Sequence, residues 1–572
     1  MIVVVAQPGD RTAGGRTPLV AAAHQRLMIL LLLFLAGGFL IIARLTQLAI
    51  STTPESAGSV SAGYLPERGD IVDRNGAPLA RTIDGWSIGV HPHKVIGDKR
   101  ELAQNLAAVL PDHDAAYYYR KLTMNANFTY LERRALPETV KQVNALGEPG
   151  IAFAREPERL YPQSTLAAHV LGFVGFDGHG MRGIEREMDG RLTDAAERGQ
   201  PIQLSIDVRV QAAMESELSQ AMATFQAKGA AGIVLDVHTG ELLAMASLPT
   251  FNPNNIRHAT QDELHNNVTQ ARYELGSTFK PLAMAQAIDT GTVTSMARRF
   301  DATKPLKVGR FTIHDDPGDE QERWLNIPET LIYSSNIATA RIADLMGEQM
   351  MKDLFHKLRF DQESRVEIKE KMSPLWPSYW GRTTTMTTAY GHGIAVTPLH
   401  LATAYAALVN GGILRPATLL KVGPGHSPKG ERVFSAATSA RMCQLLRLVV
   451  LDGTGRKGDA PGYRVGGKTG TAEVSRAGGY SRHMNVSTFA AAFPMDNPRY
   501  VVIAMLDSPI GTKETYGFTT AAWTAAPVVK NVIQRAGPIL GVRPDEHRDI
   551  DVSDITPLLW HATGDSSGAS EQ

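Results

Sequence analysis

Apolar residues are distributed unevenly along this chain, with one long run near the N-terminus and many short runs after it. The long run extends from Leu27 to Ala43 and contains no charged residue. It is near the minimum length of a membrane-spanning helix, and residues 45–50 can extend it. Beyond residue 66, apolar positions alternate with polar ones or recur every three to four residues, as in strands and helices that share a core. The pattern predicts a transmembrane anchor at 27–50, followed by a folded part.

The charges around the apolar run predict its orientation. Three arginines precede the run within the predicted tail at 1–26, whereas only Arg44 follows it closely. Because positively charged flanks stay in the cytoplasm, we expect a cytoplasmic N-terminus and an extracytoplasmic remainder. A cleaved signal peptide is the alternative, but it would need a small-x-small site that Ala49-Ile50-Ser51 fits poorly.

The first folded stretch shows hairpin and helix signals without a cluster of catalytic residues. Residues 51–66 are rich in Ser, Thr, Gly and Pro and are typical of a linker. Asn75-Gly76 then stands between two short runs, which predicts a β-hairpin. Residues 99–144 are helical and charged in pattern. We predict a non-catalytic domain at 67–205.

Four charged residues of this domain are candidates for ion pairs that hold its hairpins together. They are Arg68, Asp73, Arg159 and Glu185. Buried pairs of this kind specify geometry more than they add stability. We expect a scaffold role for them and no chemistry.

The second half of the chain predicts strands at both of its ends and helices between them. The predicted strands lie at 232–237, 241–246, 465–473, 486–493 and 500–506, and the predicted helices include 208–222, 399–410 and 519–536. A helix cap at Ser205 or Asp207 marks the entry to this part. We predict one α+β domain at 206–545 and a disordered tail at 546–572, whose end contains Gly, Ser and Glu.

Composition excludes several classes of function. Lys and Arg together number 58, as do Asp and Glu, so nothing indicates a nucleic-acid binder. The single cysteine, Cys443, excludes an intramolecular disulfide and C-x-x-C metal sites, and is best interpreted as a buried inert thiol. His314-Asp315-Asp316 is one histidine beside two acids, which is not a metal-ligand set. We expect no metal and no cofactor.

The stretch from Tyr273 to Pro281 carries candidate chemistry. Ser277 stands three positions before Lys280, and the proline and the apolar residues after it predict the start of a buried helix. Residues at i and i+3 share a helix face, so hydroxyl and amine lie one turn apart. Burial lowers a lysine pKa, and a neutral amine beside a hydroxyl is a base beside a nucleophile. The alternative is a capping serine with a surface lysine.

Two later motifs favour the catalytic interpretation. Ser334-Ser335-Asn336 and Lys468-Thr469-Gly470-Thr471 follow Ser277-x-x-Lys280 in that order. This ordered set of S-x-x-K, S-x-N and K-T-G resembles the motifs of penicillin-binding proteins and serine β-lactamases. With a chain of this length, it is most similar to the class B penicillin-binding proteins, and within them to the division-specific branch, penicillin-binding protein three.

The resemblance extends from Arg68 to the last predicted helix. Its further motifs are the stretch from Arg68 to Gly76, Arg159-Leu160-Tyr161-Pro162 and Gly180 to Glu185. It implies an α+β fold with a single N-terminal transmembrane helix and an elongated, dimerisation-like pedestal. The transpeptidase domain that it implies has a five-stranded antiparallel sheet flanked by helices, with an all-α subdomain.

The three motifs supply the parts that an acyl transfer needs. The predicted catalytic residues are Ser277, Lys280, Ser334, Asn336 and Lys468, and the predicted substrate-binding residues are Thr469, Gly470 and Thr471. Ser277 is the nucleophile and Lys280 its base. Ser334 relays a proton, Asn336 holds Lys280 and a substrate amide, and Lys468 keeps the cleft positive. Helix caps are the alternative roles for Ser334 and Asn336.

The threonines of K-T-G offer hydroxyls to a terminal carboxylate. The N–H of Thr471 is expected to complete an oxyanion hole with that of Ser277. Gly466, Gly467 and Gly470 leave room for a substrate backbone along the strand, with a strand bend as the alternative.

The resemblance implies a D-alanyl-D-alanine transpeptidase of the cytoplasmic (inner) membrane that cross-links peptidoglycan stem peptides and is acylated by β-lactams. It also implies partners: a SEDS-family glycosyltransferase and other membrane proteins of the division complex. The alternatives are an elongation-specific transpeptidase, a β-lactamase or β-lactam sensor, and a non-catalytic scaffold. The long first domain argues against a sensor or β-lactamase, and the complete motif set argues against a scaffold.

Overall fold

The computed structural model describes residues 17–51, 67–476 and 479–560. The predicted tail up to residue 16, the linker from 52 and the last residues from 561 lie outside the described residues. The first helix, α1, spans Thr17–Ser51. Within it, Leu27–Arg44 is apolar and unburied, and it is long enough to cross a membrane.

The elements up to residue 205 divide between two compact units. Residues 84–156 form one unit, and 66–83 together with 157–560 form the other. The strands are β1 (Ile71–Val72), β2 (Pro78–Val90), β3 (Thr129–Ala135), β4 (Ile151–Leu160) and β5 (Ile202–Gln203). The helices are α2 (Lys99–Val109), α3 (Ala115–Leu122), α4 (Pro137–Asn144), α5 (Ala168–Leu171), α6 (Gly183–Glu187) and α7 (Asp189–Thr193). The stretch predicted as one pedestal therefore belongs to two units.

The unit at 84–156 has its own apolar core. Its buried side chains include Ile88, Val90, Leu106, Tyr118 and Leu122. Asp98 and Asp114 cap the N-termini of α2 and α3 by accepting backbone N–H hydrogen bonds. The sequence therefore specifies where each of these helices begins. The helical pattern predicted for 99–144 holds for α2, α3 and α4, but β3 interrupts it and pairs with β2.

The predicted hairpin and three of the four predicted charged partners are confirmed. β1 pairs antiparallel with β2 across the turn at Asn75-Gly76. Arg68 and Arg159 both reach the fully buried carboxylate of Glu185, at 2.9 and 2.7 Å. Asp73 was assigned wrongly to this cluster, because its carboxylate instead accepts N–H groups of the turn. A carboxylate two residues before such a turn is suited to that role.

The rest of the chain contains one large sheet and many helices. The strands are β6 (Gly229–Asp236), β7 (Leu242–Leu248), β8 (Phe300–Asp301), β9 (Leu306–Val308), β10 (Phe311–Ile313), β11 (Trp324–Leu325), β12 (Ile413–Leu414), β13 (Glu431–Arg432), β14 (Gly466–Arg476), β15 (Gly479–Phe493) and β16 (Tyr500–Asp507). The α-helices are α8 (Val208–Thr224), α9 (Gln261–Leu264), α10 (Lys280–Asp289), α11 (Ile327–Ile332), α12 (Asn336–Lys357), α13 (Arg382–Thr388), α14 (Pro398–Val409), α15 (Ala436–Asp452) and α16 (Ala525–Ile539).

The large sheet has five antiparallel strands, as predicted, and their order is β14-β15-β16-β6-β7. Side chains alternate between its faces. One face packs on α8 and α16, through residues such as Met214, Val234 and Val529. The other belongs to the core that includes α10 and α14. The K-T-G motif therefore lies on an edge strand, beside the helices that carry the other motifs.

Three predictions for the region around this sheet are corrected. The insertion between β7 and β14 is mainly helical, but it also contains short strand pairs such as β9–β10. The segment 546–560, predicted to be disordered, packs against the core, where Ile555 is 1% exposed. The last helix also begins six residues later than predicted, at Ala525.

Candidate active site

The S-x-x-K motif occupies a tight turn at the start of α10. Gly276–Phe279 form one 3-10 turn, and α10 begins directly at Lys280. Gly276 has a φ of +54°, and a Cβ on it would lie 2.7 Å from the carbonyl oxygen of Thr471. Only glycine suits both the left-handed backbone and the close approach. The turn is thereby brought against β14.

Two aromatic contacts fix this turn from behind. The hydroxyl of Tyr405, on α14, donates to the carbonyl of Thr278 at 2.8 Å. The ring of Phe279 lies 5.8 and 5.4 Å from the rings of Phe355 and Phe360. These side chains are fully buried, so Ser277, the predicted nucleophile, stands on a rigid support.

Lys280 is fully buried, as predicted. Its ammonium donates to the backbone carbonyl of Ser334, and to the Ser334 hydroxyl at 3.1 Å. Burial lowers the pKa of Lys280 to about 8, against the opposing effect of Asp316 and Asp315. The amine can therefore be neutral near physiological pH.

Ser334 connects the two lysines of the site. Its Oγ lies 3.1 Å from the Nζ of Lys280 and 2.9 Å from the Nζ of Lys468. The residue sits between α11 and α12 with a φ of +55°, which is uncommon for any residue other than glycine. Such a conformation persists only when the surroundings hold it, and it is frequent at functional sites.

The other two residues of S-x-N hold the loop at 314–316. Ser335 caps α12 and donates to both oxygens of the Asp315 carboxylate at 3.0 Å. Asn336 donates to the carbonyl of His314 at 3.0 Å and to Asp316 at 3.2 Å. The hydrogen bonds recorded for Asn336 in the described part of the chain go to this loop and do not include the predicted one to Lys280. The cap predicted as an alternative role belongs to the middle residue of the motif.

Lys468 lies on the edge strand β14 and is also fully buried. Besides Ser334, its Nζ donates to the carbonyl of Thr469 at 3.1 Å. Burial and the ammonium of Lys280 lower the pKa of Lys468 well below its usual value, against the opposing effect of Asp319. Because both Nζ atoms contact the same hydroxyl, the charge of Lys280 makes protonation of Lys468 less favourable.

The remaining K-T-G residues are placed beside this pair. Thr469 exchanges a hydrogen bond with Thr454 at 2.7 Å, and the Thr471 hydroxyl accepts the N–H of Ala521 at 3.2 Å. A Cβ on Gly470 would lie 2.4 Å from the carbonyl oxygen of Leu275. This glycine therefore allows β14 to touch the serine turn, a packing role that the motif alone did not reveal.

Comparisons with known proteins identify the family of this chain. A model described as the penicillin-binding protein transpeptidase domain matches residues 230–534, and one described as the penicillin-binding protein dimerisation domain matches 64–195. The probable peptidoglycan D,D-transpeptidase FtsI of Caulobacter vibrioides is 41% identical over 508 residues, covering 86% of this chain and 85% of the relative. This chain belongs to the class B penicillin-binding proteins.

A further relative and a solved structure are similar to this penicillin-binding protein over most of its length. The peptidoglycan D,D-transpeptidase FtsI of Escherichia coli is 28% identical over 543 residues, covering 87% of this chain and 88% of the relative. A solved peptidoglycan synthetase of Bifidobacterium adolescentis has the same fold, with a TM-score of 0.66 at 23% identity, over 85% of this chain and 98% of that one. The predicted family and fold class are confirmed. With its apolar helix, the chain is a single-pass inner-membrane protein.

Three contributors to the site escaped the sequence analysis. Asp315 stood out only as a poor metal ligand, yet it holds Ser335 and the first turn of α12. Thr454 and Tyr405 carry no motif. A polar residue in the turn after a helix is a weak signal for Thr454, and a tyrosine within an apolar helix is a weak signal for Tyr405.

Proposed function

We propose that this protein is a peptidoglycan D,D-transpeptidase that cross-links stem peptides through a serine acyl-enzyme. The observation that carries the proposal is the Ser334 hydroxyl held between two buried lysines, one of which lies one helical turn from Ser277. The names of the relatives, and the transpeptidase domain over more than half of the chain, support the same reaction.

The first half-reaction needs a base, and Lys280 supplies it. With a pKa of about 8, roughly a tenth of the Lys280 side chains are neutral at pH 7. The neutral amine takes the proton as the Ser277 oxygen attacks the carbonyl carbon of the penultimate D-alanine. The developing oxyanion accepts the backbone N–H groups of Ser277 and Thr471. The C–N bond then breaks, and the departing D-alanine amine receives a proton from Lys280 through the Ser334 hydroxyl.

The second half-reaction runs the same transfers in reverse. The amine of a second stem peptide attacks the acyl-enzyme, its proton passes to the lysine pair, and Ser277 regains a proton as it leaves.

The substrate carboxylate, held by the hydroxyls of Thr469 and Thr471, favours a charged Lys468. Repulsion between the two ammonium groups then favours a neutral Lys280. Substrate binding thus prepares the base.

Labelling with a fluorescent penicillin, followed by peptide mapping, tests the reaction in the full-length protein. A stable adduct on the peptide that contains Ser277 is expected, and Ser277→Ala should abolish it. Fast turnover of the adduct would indicate a β-lactamase instead. A folded protein without any adduct would indicate a scaffold.

The site of action that we propose is the division septum, with the N-terminus in the cytoplasm and the catalytic domain outside it. The FtsI relatives support the septal role, and the arginines before Leu27 support the orientation. A SEDS-family glycosyltransferase and other division proteins are the expected partners. Depletion should give undivided filaments, whereas rounded cells with normal septa would indicate the elongation role. A reporter active only in the cytoplasm, fused after Gln572, should be silent.

A further inference from the structure

The C-terminal segment 546–560, here called the strap, has no role in the reaction described above, yet it is tied down along its length. It runs along α15, where Arg447 and Arg441 bind Asp549 and Asp554 at 2.7 and 2.5 Å. A segment that only followed the last helix would not need such anchors. The course of the strap is therefore specified by the sequence.

The end of the strap is bound to α11, the helix that leads into S-x-N. The Asn326 amide donates to the carbonyl of Leu558 at 2.6 Å, and the N–H of Trp560 donates to Glu329 at 2.9 Å. Glu329 is fully buried and forms a capping box with Asn326. The strap thus completes the hydrogen bonds of the cap of α11.

A stack of three side chains continues from this cap to the serine. The guanidinium of Arg323 lies 5.1 Å from the ring of Trp560 and 5.3 Å from the ring of Tyr333. Arg323 also donates to Glu329 at 2.9 Å, so its plane is fixed. Cations between aromatic faces are held by the ring electrons. Tyr333 immediately precedes Ser334.

Ser334 needs such support. Its left-handed backbone is strained, and both its carbonyl and its hydroxyl must face Lys280. A small rotation at this residue would break the bridge between the two lysines.

We propose that the strap positions Ser334 for catalysis through the stack Trp560–Arg323–Tyr333, so that this segment contributes to the acylation rate. This inference rests on the proposed function. Trp560 is a positioning residue, because it does not touch the reacting groups.

The test measures the second-order rate of penicillin acylation on full-length variants in detergent. Trp560→Ala should slow acylation roughly tenfold, while the melting temperature changes little because the side chain is 53% exposed. Trp560→Phe keeps a ring over Arg323 and should restore the rate to within about twofold. Glu546→Gln changes an exposed residue at the start of the strap, outside the anchors and the stack named above, and should acylate like the parent.

A double-mutant comparison shows whether the stack is the route. Arg323→Lys keeps the charge near Glu329 but lacks a planar face, so its acylation should be slowed as well. If Trp560→Ala does not fold, this variant provides the test instead. Combined with Trp560→Ala, it should add little further loss. The proposal is overturned if the single variants acylate at the parent rate, or if Trp560→Phe is as slow as Trp560→Ala. It is also overturned if the losses of the two single variants multiply fully in the double variant. A parent protein that is not acylated at all would instead overturn the proposed function.

Discussion

Two groups of charged side chains are buried in the same compact unit, and they are arranged in opposite ways. In the pedestal cluster, Arg68 and Arg159 bind the carboxylate of Glu185 directly, and Arg68 also binds Asp189 at 2.6 Å. In the active site, the ammonium groups of Lys280 and Lys468 bind a neutral hydroxyl and neutral carbonyls. The first group balances its charge by contact, whereas the second receives only partial compensation from nearby acids.

This difference determines what each group can do. A guanidinium does not lose its proton at physiological pH, so the pedestal cluster can only fix geometry. A buried ammonium without a contacting carboxylate has a lowered pKa, and both lysines show this shift. Incomplete pairing is therefore what makes the second group able to transfer protons.

Removing the carboxylate of the pedestal cluster gives the largest expected effect. Glu185→Gln removes the carboxylate that two buried guanidiniums share, leaving Arg68 its pair with Asp189, and should lower the free energy of unfolding by about 3–5 kcal/mol. Denaturant unfolding followed by tryptophan fluorescence measures it. The matched variant Glu67→Gln breaks an exposed pair with Arg198 and should cost less than about 1 kcal/mol. Equal losses in the two variants would contradict the contrast.

The converse change in the active site should affect the reaction more than the fold. Lys280→Arg keeps a cation near Ser277 but removes a group that can deprotonate. Acylation by penicillin should fall by roughly 10²-fold or more, the usual scale for losing a general base. The second-order acylation rate of the full-length protein, with a thermal melt as folding control, measures it. A folded variant within a few-fold of the parent rate would falsify the assignment of Lys280 as base.

The pH dependence of acylation reports the same lowered pKa. The reactive form is the neutral amine, so the rate should rise with pH and level off above about 8. Between pH 6 and pH 8 the neutral fraction rises about fiftyfold, and the rate should follow it. Melting temperatures at each pH control for unfolding. A flat profile over this range would mean that Lys280 is not the titrating base.

How much the sequence predicted depends on how local each contact is. The turn at Ser277 and the burial of Lys280 were predicted, because helical periodicity and i,i+3 spacing are local signals. The contact between Ser335 and Asp315 spans 20 residues of loop and helix and leaves no periodic signal. Asp73 was misassigned because charge alone does not show that a neighbouring turn already uses a carboxylate.

The strap is a second case in which the sequence alone did not predict the structure, and here the reason is packing. Its apolar residues, such as Ile550, Val552 and Ile555, stand between charged ones, so the composition resembled a disordered tail. In the structure those residues meet the core and the charges meet α15. Neither the apolar contacts nor the ion pairs can be predicted without knowing the surface that the rest of the chain provides.

The smallest expected effect tests whether nearby acidic residues partly compensate the charges of the two lysines. Asp319 raises the pKa values of both lysines through its charge, without a recorded contact to either of them. Asp319→Asn should therefore lower the pKa of Lys280 further and increase the neutral fraction below pH 8. Acylation at pH 6.5 should become about two- to threefold faster, with the plateau above pH 8 unchanged. Glu320→Gln makes the same charge change one residue along, at a carboxylate that accepts the N–H of Gly318, and should reproduce the parent profile. If both variants shift the profile equally, the effect is a general one of net charge, and the acids near the lysines do not tune the base.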